Sequence, residues 1–289
     1  MARYAAVVRG LFATRSARVG AVLVGLLLVV ALGSRWLGHG ATTLDVEHGL
    51  TERGAPLSPS EHPPLGTDSL GRDVWARVAA GAATSLAVAA AATALALLIG
   101  LAIGLAAGYA GGLVDTLLMR LVDLVLAFPA LLLAILLASL LRESTLAGAN
   151  APVVVTLALV GWTTMARVIR NKTRALVRGE MVAAARALGA SSLRVVLRHV
   201  LPNLAGIVVA IALLAFAENL AAEAVLSFLG LGPPPPAPTW GRMFYEGRLY
   251  YRTAPHLVLA PGLAILAAVA GFHLLGEALR EHFDPRGAA

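Results

Sequence analysis

The groups able to do chemistry are few, and the familiar catalytic arrangements are missing. The single lysine, Lys172, follows Asn171, and Ala166 stands where a Gly-x4-Gly-Lys-Ser/Thr loop has its first glycine, so the chain has no phosphate cradle for ATP. It has no His-Glu-x-x-His zinc pattern and no Gly-x-Ser-x-Gly nucleophile turn. Zero cysteines leave neither a disulfide framework nor a thiolate metal site. No catalytic, cofactor-binding or metal-ligating set is therefore assigned. What remains is charge in unusual places. Glu218 and Glu223 interrupt an apolar stretch, where each either meets a cationic group on a translocation path or hydrogen-bonds to a neighbouring helix. Asp115, Arg120 and Asp123 interrupt another, with Arg120 and Asp123 spaced i,i+3 for a local ion pair. His273 and Glu277, one turn apart in a third, read as interfacial. The segment from Arg170 to Pro202 holds seven Lys or Arg residues and a single acid, Glu180.

The elements that must position these groups follow from composition. Charged residues make up 13% of the 289 and the hydrophobic set 58%, against about 25% charged in an ordinary soluble domain. Disorder is excluded and a soluble enzyme is disfavoured. Charge-free windows run over Val19–Ser34, Val78–Val114, Leu124–Leu141, Ala151–Ala166, His199–Ala217 and Ala254–Gly276. A helix needs about 20 residues to cross a hydrocarbon core of about 30 Å, so the expectation is an all-α integral membrane protein with about six spans. In the second window Gly100, Gly104 and Gly108 recur every fourth residue, with Ala102, Ala106 and Ala110 in step, a ridge that lets another helix approach closely. The first window, preceded by Arg15 and Arg18, has the look of a signal peptide. Its Trp36-Leu37 tail favours a retained span with an interfacial anchor.

With the N-terminus inside, 15 of the 23 Lys and Arg residues fall on inner segments and 8 on outer ones. That is the sign of the positive-inside rule, so both termini are cytoplasmic. The formal net charge of +7 then reflects topology and gives no reason to invoke nucleic acid.

Three segments outside the membrane are long enough to carry function. An external loop ends in Pro63-Pro64-Leu65-Gly66-Thr67-Asp68-Ser69-Leu70-Gly71-Arg72-Asp73, where Thr67 or Asp68 is placed to cap the next helix. A second external loop opens with Gly232-Pro233-Pro234-Pro235-Pro236-Ala237-Pro238, expected as stiff polyproline II. Inside, the composition predicts a helix over Thr173–Leu188, a stop at Gly189, a second short helix capped by Ser191 through Val200, and Pro202 in the first turn of span five. Such a knob suits a groove on a cytoplasmic partner.

The run Glu180-Met181-Val182-Ala183-Ala184-Ala185-Arg186-Ala187-Leu188-Gly189-Ala190-Ser191, followed by Arg198-His199-Val200-Leu201-Pro202-Asn203, resembles the EAA loop of permeases in binding-protein-dependent ABC importers. Leu65-Gly66-Thr67-Asp68 with Gly71-Arg72-Asp73, Leu226-Ser227-Phe228-Leu229-Gly230-Leu231-Gly232 with Thr239-Trp240-Gly241, and the terminal Asp284-Pro285-Arg286 are similar to the second permease subunit of dipeptide, oligopeptide and nickel importers. The resemblance implies a multi-pass permease of the prokaryotic inner membrane with the type I importer fold. Its implied partners are a homologous second permease, two ATPase subunits inside, a solute-binding protein outside and membrane lipid. ATP and Mg would be bound by the ATPase subunits, leaving this chain without a cofactor or enzymatic activity. The implied organisation is a cytoplasmic segment 1–18, a first span 19–38, an external loop 39–80 and a permease core 81–289, with a coupling loop 173–202 and an external Pro-rich loop 230–254.

One position departs from the family pattern: the glutamate of the triplet is Ala183 here. Either Glu180, three residues earlier on the same helical face, supplies the acidic contact to the ATPase, or packing by the small alanines suffices. The rival class is a proton-coupled secondary transporter with Glu218 or Asp123 as proton carrier; such proteins usually carry internal repeats, and none is visible. Peptides lead as substrates, with nickel or another small solute as the alternative.

Overall fold

The computed structural model describes residues 14–37, 41–62, 64–142 and 148–283. The segment before Thr14, Pro63, the Asp284-Pro285-Arg286 motif and the side chains of Trp36 and Leu37 lie outside the described residues. Apart from two isolated bridges, Leu50 with Pro56 and Thr67 with Asp73, regular structure among the described residues is helical.

Helix α1 (Arg15–Leu37) is the first span. Helix α2 (Val74–Ala110) begins ahead of the expected boundary because the Asp73 side chain accepts the Ala76 N–H at 2.7 Å and caps it. Thr67 and Asp68, expected in that role, are used inside the preceding loop. Gly111 and Gly112, at φ +64° and +53°, turn the chain back into the membrane.

The third span is not the straight helix expected over Leu124–Leu141. It is a pair, α3 (Gly112–Leu126) and α4 (Ala130–Leu141), bent by 87°. Pro129 lacks an N–H and disfavours helical backbone at Phe128, which breaks the helix there. Helix α5 (Ala151–Val177), with Pro152 in its first turn, carries the chain back inside.

The cytoplasmic helix expected over Thr173–Leu188 is split, since α5 continues to Val177 and the extended Gly179 separates it from α6 (Glu180–Ala187). Gly189 takes φ +79° and stops α6 as expected. Ser191 occupies the N-cap of α7 (Ser192–Val195), although its side chain makes no capping hydrogen bond. A π-helical turn, Val196–Val200, joins α7 to α8 (Leu201–Phe228), with Pro202 in the first turn of α8. The stretch Ser192–Phe228 is one apolar rod of 37 residues instead of a short helix and a separate span.

Outside, the proline run turns at Pro235–Pro236, so it is not a continuous polyproline II rod. It leads to α9 (Trp240–Gly247), a single 3-10 turn (Arg248–Tyr250) and the last span, α10 (His256–Phe283). Among the described residues, five helices are long and apolar enough to cross a bilayer alone, and the bent α3–α4 pair passes the same test together, which gives up to six spans. Six spans are the number that would return the chain to its starting side, as the Lys and Arg bias implies.

The glycine ridge packs α2 onto α5. A Cβ at Gly100 would lie 2.7 Å from Met165 Cβ, one at Gly104 2.7 Å from the Ala166 carbonyl oxygen, and one at Gly108 2.6 Å from Thr173 Cβ. Ala102, Ala106 and Ala110, expected in step with them, are exposed on another face. Gly20 meets Gly271 in the same manner, where α1 crosses α10.

Candidate functional site

The cytoplasmic knob is α6 and the turn that follows it. Val182 and Ala185 point inward and join the cluster of Ile169, Val195, Val200 and Leu204. The opposite face presents Glu180, Ala183, Ala184, Arg186 and Ala187 to solvent. Beyond it Leu188 is 89% exposed and Leu193 68%, with Leu197 and Met181 also exposed. Arg178, Arg186, Arg194 and Arg198, close to these residues in sequence, are exposed as well. Arg186 also lies 5.3 Å over the Tyr109 ring, which ties the knob to the inner end of α2. Large apolar side chains this exposed are uncommon on a surface that stays in water.

Behind the knob the inner charges pair across helices. Arg170 of α5 grips Asp115 of α3 through both carboxylate oxygens, its Nε donating to Oδ1 at 2.7 Å, and Arg174 approaches the same group at 3.5 Å. Arg167 donates to Asp123 at 2.9 Å. The local Arg120–Asp123 pair is therefore replaced by a bond between α3 and α5, and Arg120 faces outward. Ion pairs that bridge helices hold the bent span in place.

In the membrane, Glu218 and Glu223 of α8 face different surroundings. Glu218 is exposed on the surface of this chain, near His273 of α10. Glu223 is 0% exposed, and its Oε1 accepts the Ser227 hydroxyl at 2.6 Å. This hydrogen bond of Glu223 thus stays within its own helix and is not the link to a neighbouring helix that the sequence left open beside a path contact. Between them Asn219 donates to Thr93 of α2 at 3.0 Å, a link that sequence reasoning missed.

On the external face, the motif residues build a clamp. Gly66 and Gly71 take φ of +75° and +73°, and a Cβ on either would run into backbone of the same loop. Thr67 Oγ1 donates to the Gly49 carbonyl and accepts the Leu57 N–H at 2.8 Å. Asp68 accepts the N–H groups of Leu70 and Arg72 at 2.9 and 3.0 Å, the Arg72 Nε at 2.6 Å, and meets Arg77 at 3.3 Å. Arg72 and Arg77 both reach Glu246 of α9, at 3.0 and 2.8 Å, and Arg242 joins it at 3.1 Å. Glu246 was not singled out from sequence; its signal was to be the lone acid among Arg242, Arg248 and Arg252. Elsewhere in the loop, the Ser58 hydroxyl and N–H hold the Glu61 carboxyl below its usual range. Trp240, 1% exposed, donates its indole N–H to the Val78 carbonyl at 2.9 Å. It is buried against α2 and presents no face to a docking protein.

Among known proteins, the family described as "Binding-protein-dependent transport system inner membrane component" matches residues 100–288. The glutathione transport system permease protein GsiD of Escherichia coli O1:K1 / APEC is 37% identical over 270 residues, covering 93% of this chain and 86% of that protein. The protein of the same name from Shigella flexneri serotype 5b (strain 8401) gives the same figures. In fold, the chain is similar to a chain of the MetNI methionine ABC transporter solved in inward-facing conformations, with a TM-score of 0.54, 20% identity, and coverage of 71% of this chain and 97% of that one. A second crystal form gives a TM-score of 0.50.

Proposed function

From the premise that the chain belongs to the binding-protein-dependent transport inner-membrane components, as a multi-pass inner-membrane permease subunit of an ABC importer of the peptide and nickel group, we propose that it forms half of a translocation path for di- or oligopeptides. The relatives named for glutathione, a tripeptide, support that substrate class. A homologous permease supplies the other half, two ATPase subunits bind ATP and Mg inside, and a solute-binding protein delivers substrate outside. This chain itself holds no cofactor.

The observation that carries the reading is the knob. Its apolar residues are exposed: Ala183, Ala184 and Leu188 on and at the end of a short helix flanked by Gly179 and Gly189, and Leu193 on the turn that follows, with four exposed arginines close to them in sequence. Such a surface is covered in the assembled protein, and the ATPase is the partner on that side. Glu180, exposed at the start of α6, supplies the acidic contact that Ala183 does not. Between the two faces the chain alternates as a two-state element biased by ATP inside and by the binding protein outside.

Glu218 is the candidate path residue. A carboxylate exposed at this depth does not face lipid, where a charge costs at least about 2.5 kcal/mol; it faces either water or the second permease. Gly66, Asp68, Gly71, Arg72, Asp73 and Trp240 brace the external face. The coupling loop 173–202 and the external loops 39–80 and 230–254 are the functional segments outside the membrane.

Mild detergent extraction should co-purify a second permease and an ATPase pair with this chain. Leu188→Arg should release the ATPase while the permease pair stays folded, and Glu180→Arg should do the same until a reciprocal charge change in the ATPase restores docking. Full assembly by Leu188→Arg, or uptake driven by a pH gradient in proteoliposomes containing this chain alone, would overturn the reading.

A further inference from the structure

We propose that Glu223 is a positioning residue that ties the external segment around Trp240 to span five, so that a load applied outside reaches the coupling knob along α8. The proposal rests on the permease reading and adds to it the route by which the two faces communicate.

The carboxyl of Glu223 lies where four parts of the chain meet. Ser227, one turn further along α8, donates to it at 2.6 Å, and Ser85 of α2 is its other polar neighbour. The Ser85 hydroxyl in turn accepts the backbone N–H of Trp240 at 3.4 Å. The proline-rich loop touches the same point, because a Cβ on Gly232 would run into the Ser227 hydroxyl. Helix α9 does so one residue on, since a Cβ on Gly241 would collide with the Ala224 carbonyl. The buried acid holds Ser227 at the point where the proline-rich loop and α9 pack on α8, beside the Ser85–Trp240 link to α2.

This group is a poor choice for stability alone. Among the described residues no ion pair involves it, and its Oε2 has no hydrogen-bond partner. A buried oxygen left without a partner costs free energy that an apolar side chain of similar volume would not. The directional link is what such a side chain could not supply.

The two ends of the route are rigid. Above Glu223, α9 is gripped through Glu246 by Arg72 and Arg77. Below it, α8 runs inward without a break, through the π turn at Val196–Val200, to Ser192 beside the knob. A shift of the external cap is therefore passed to the outer end of a continuous rod, whose inner end carries Val195 and Val200 against Val182 of α6.

The test uses the assembled transporter in nanodiscs, with ATPase activity measured in the absence and presence of its binding protein loaded with a tripeptide. Glu223→Leu fills the volume without the hydrogen bonds, and Glu223→Gln keeps shape and hydrogen bonding. Glu223→Leu is expected to assemble and keep its unstimulated rate while stimulation by the loaded binding protein falls at least about fivefold, the scale of a site-to-site coupling; Glu223→Gln should restore most of it. Full stimulation in Glu223→Leu would overturn the proposal, and so would failure of that variant to assemble, which makes the residue one of packing. A Glu223→Gln variant no better than Glu223→Leu would overturn it as well. Failure of the permease reading would show differently, as an unmodified chain that no loaded binding protein stimulates.

Discussion

Trp240→Ala distinguishes a brace from a docking residue, and the structure fixes the size of the effect. The indole is 1% exposed and packs in one cluster with Val78, Ala82, Leu86, Leu220, Met243 and Leu257. Truncating a buried Trp to Ala removes about 3–5 kcal/mol. With a shift of about 2–4 °C per kcal/mol for a large chain, Tm in detergent should fall by roughly 6–20 °C. Trp240→Phe keeps most of the volume but loses the N–H donor to the Val78 carbonyl, 2.9 Å away. That bond contributes about 1 kcal/mol, a drop of a few degrees. Gly81→Ala presses from the other side, because the new Cβ would lie 3.0 Å from Trp240 Cδ1. The assay is thermal unfolding followed by size-exclusion chromatography of the purified chain. The graded order Ala, Phe, unmodified is the expected result. An unchanged Tm in Trp240→Ala, combined with weaker affinity for the binding protein, would refute the bracing argument and make Trp240 a contact residue.

Gly104→Leu should abolish recovery of folded protein, since even a Cβ there lies 2.7 Å from the Ala166 carbonyl oxygen, whereas Ala106→Leu, on an exposed face, should be recovered normally in the same expression test. A double-mutant cycle of Asp115→Asn and Arg170→Gln, read by thermal unfolding, should give a coupling of roughly 2 kcal/mol for the two-pronged pair, while Arg120→Gln should be near neutral. Glu246→Ala leaves Arg77, only 3% exposed, with Asp68 as its remaining acid, and should destabilise by roughly 3 kcal/mol; a Tm within about 2 °C of the unmodified chain would contradict the clamp.

The spans were legible because hydrocarbon demands about 20 apolar residues in a row and little else. The break in the third was legible too, at Pro129, yet a charge-free window does not register a proline, so Leu124–Leu141 read as straight. Asp115 and Asp123 show a different limit. Local spacing pointed to Arg120, three residues from Asp123, but the partners Arg167 and Arg170 are on α5, and only the fold brings them near. The helix cap was ambiguous for a chemical reason: Thr67, Asp68 and Asp73 are all good caps, and the first two are consumed by Gly49, Leu57, Arg72 and Arg77. Glu218 and Glu223 are five residues apart, hence about 140° apart around the helix. Sequence alone thus says that they face different sides and not which side is buried.

The inner charges acquire distinct roles once the fold is known. Arg167, Arg170 and Arg174 are bound to Asp123 and Asp115, so their charge serves the bent third span. Arg178, Arg186, Arg194 and Arg198 remain exposed around Leu188 and Leu193. All of them satisfy the positive-inside rule equally, yet only the second group is exposed in the segment whose leucines are also exposed. A partner matching it needs an apolar groove with an acidic rim. On the docking proposal the contact energy comes mostly from burying the leucines, with the arginines orienting the encounter and Glu180 adding the one acidic contact on which docking depends. If the knob docks in this way, as proposed, the alanine at position 183 is accounted for. A face whose affinity rests on apolar burial loses little when one acid is absent from its centre, provided that another, Glu180, stands at its edge.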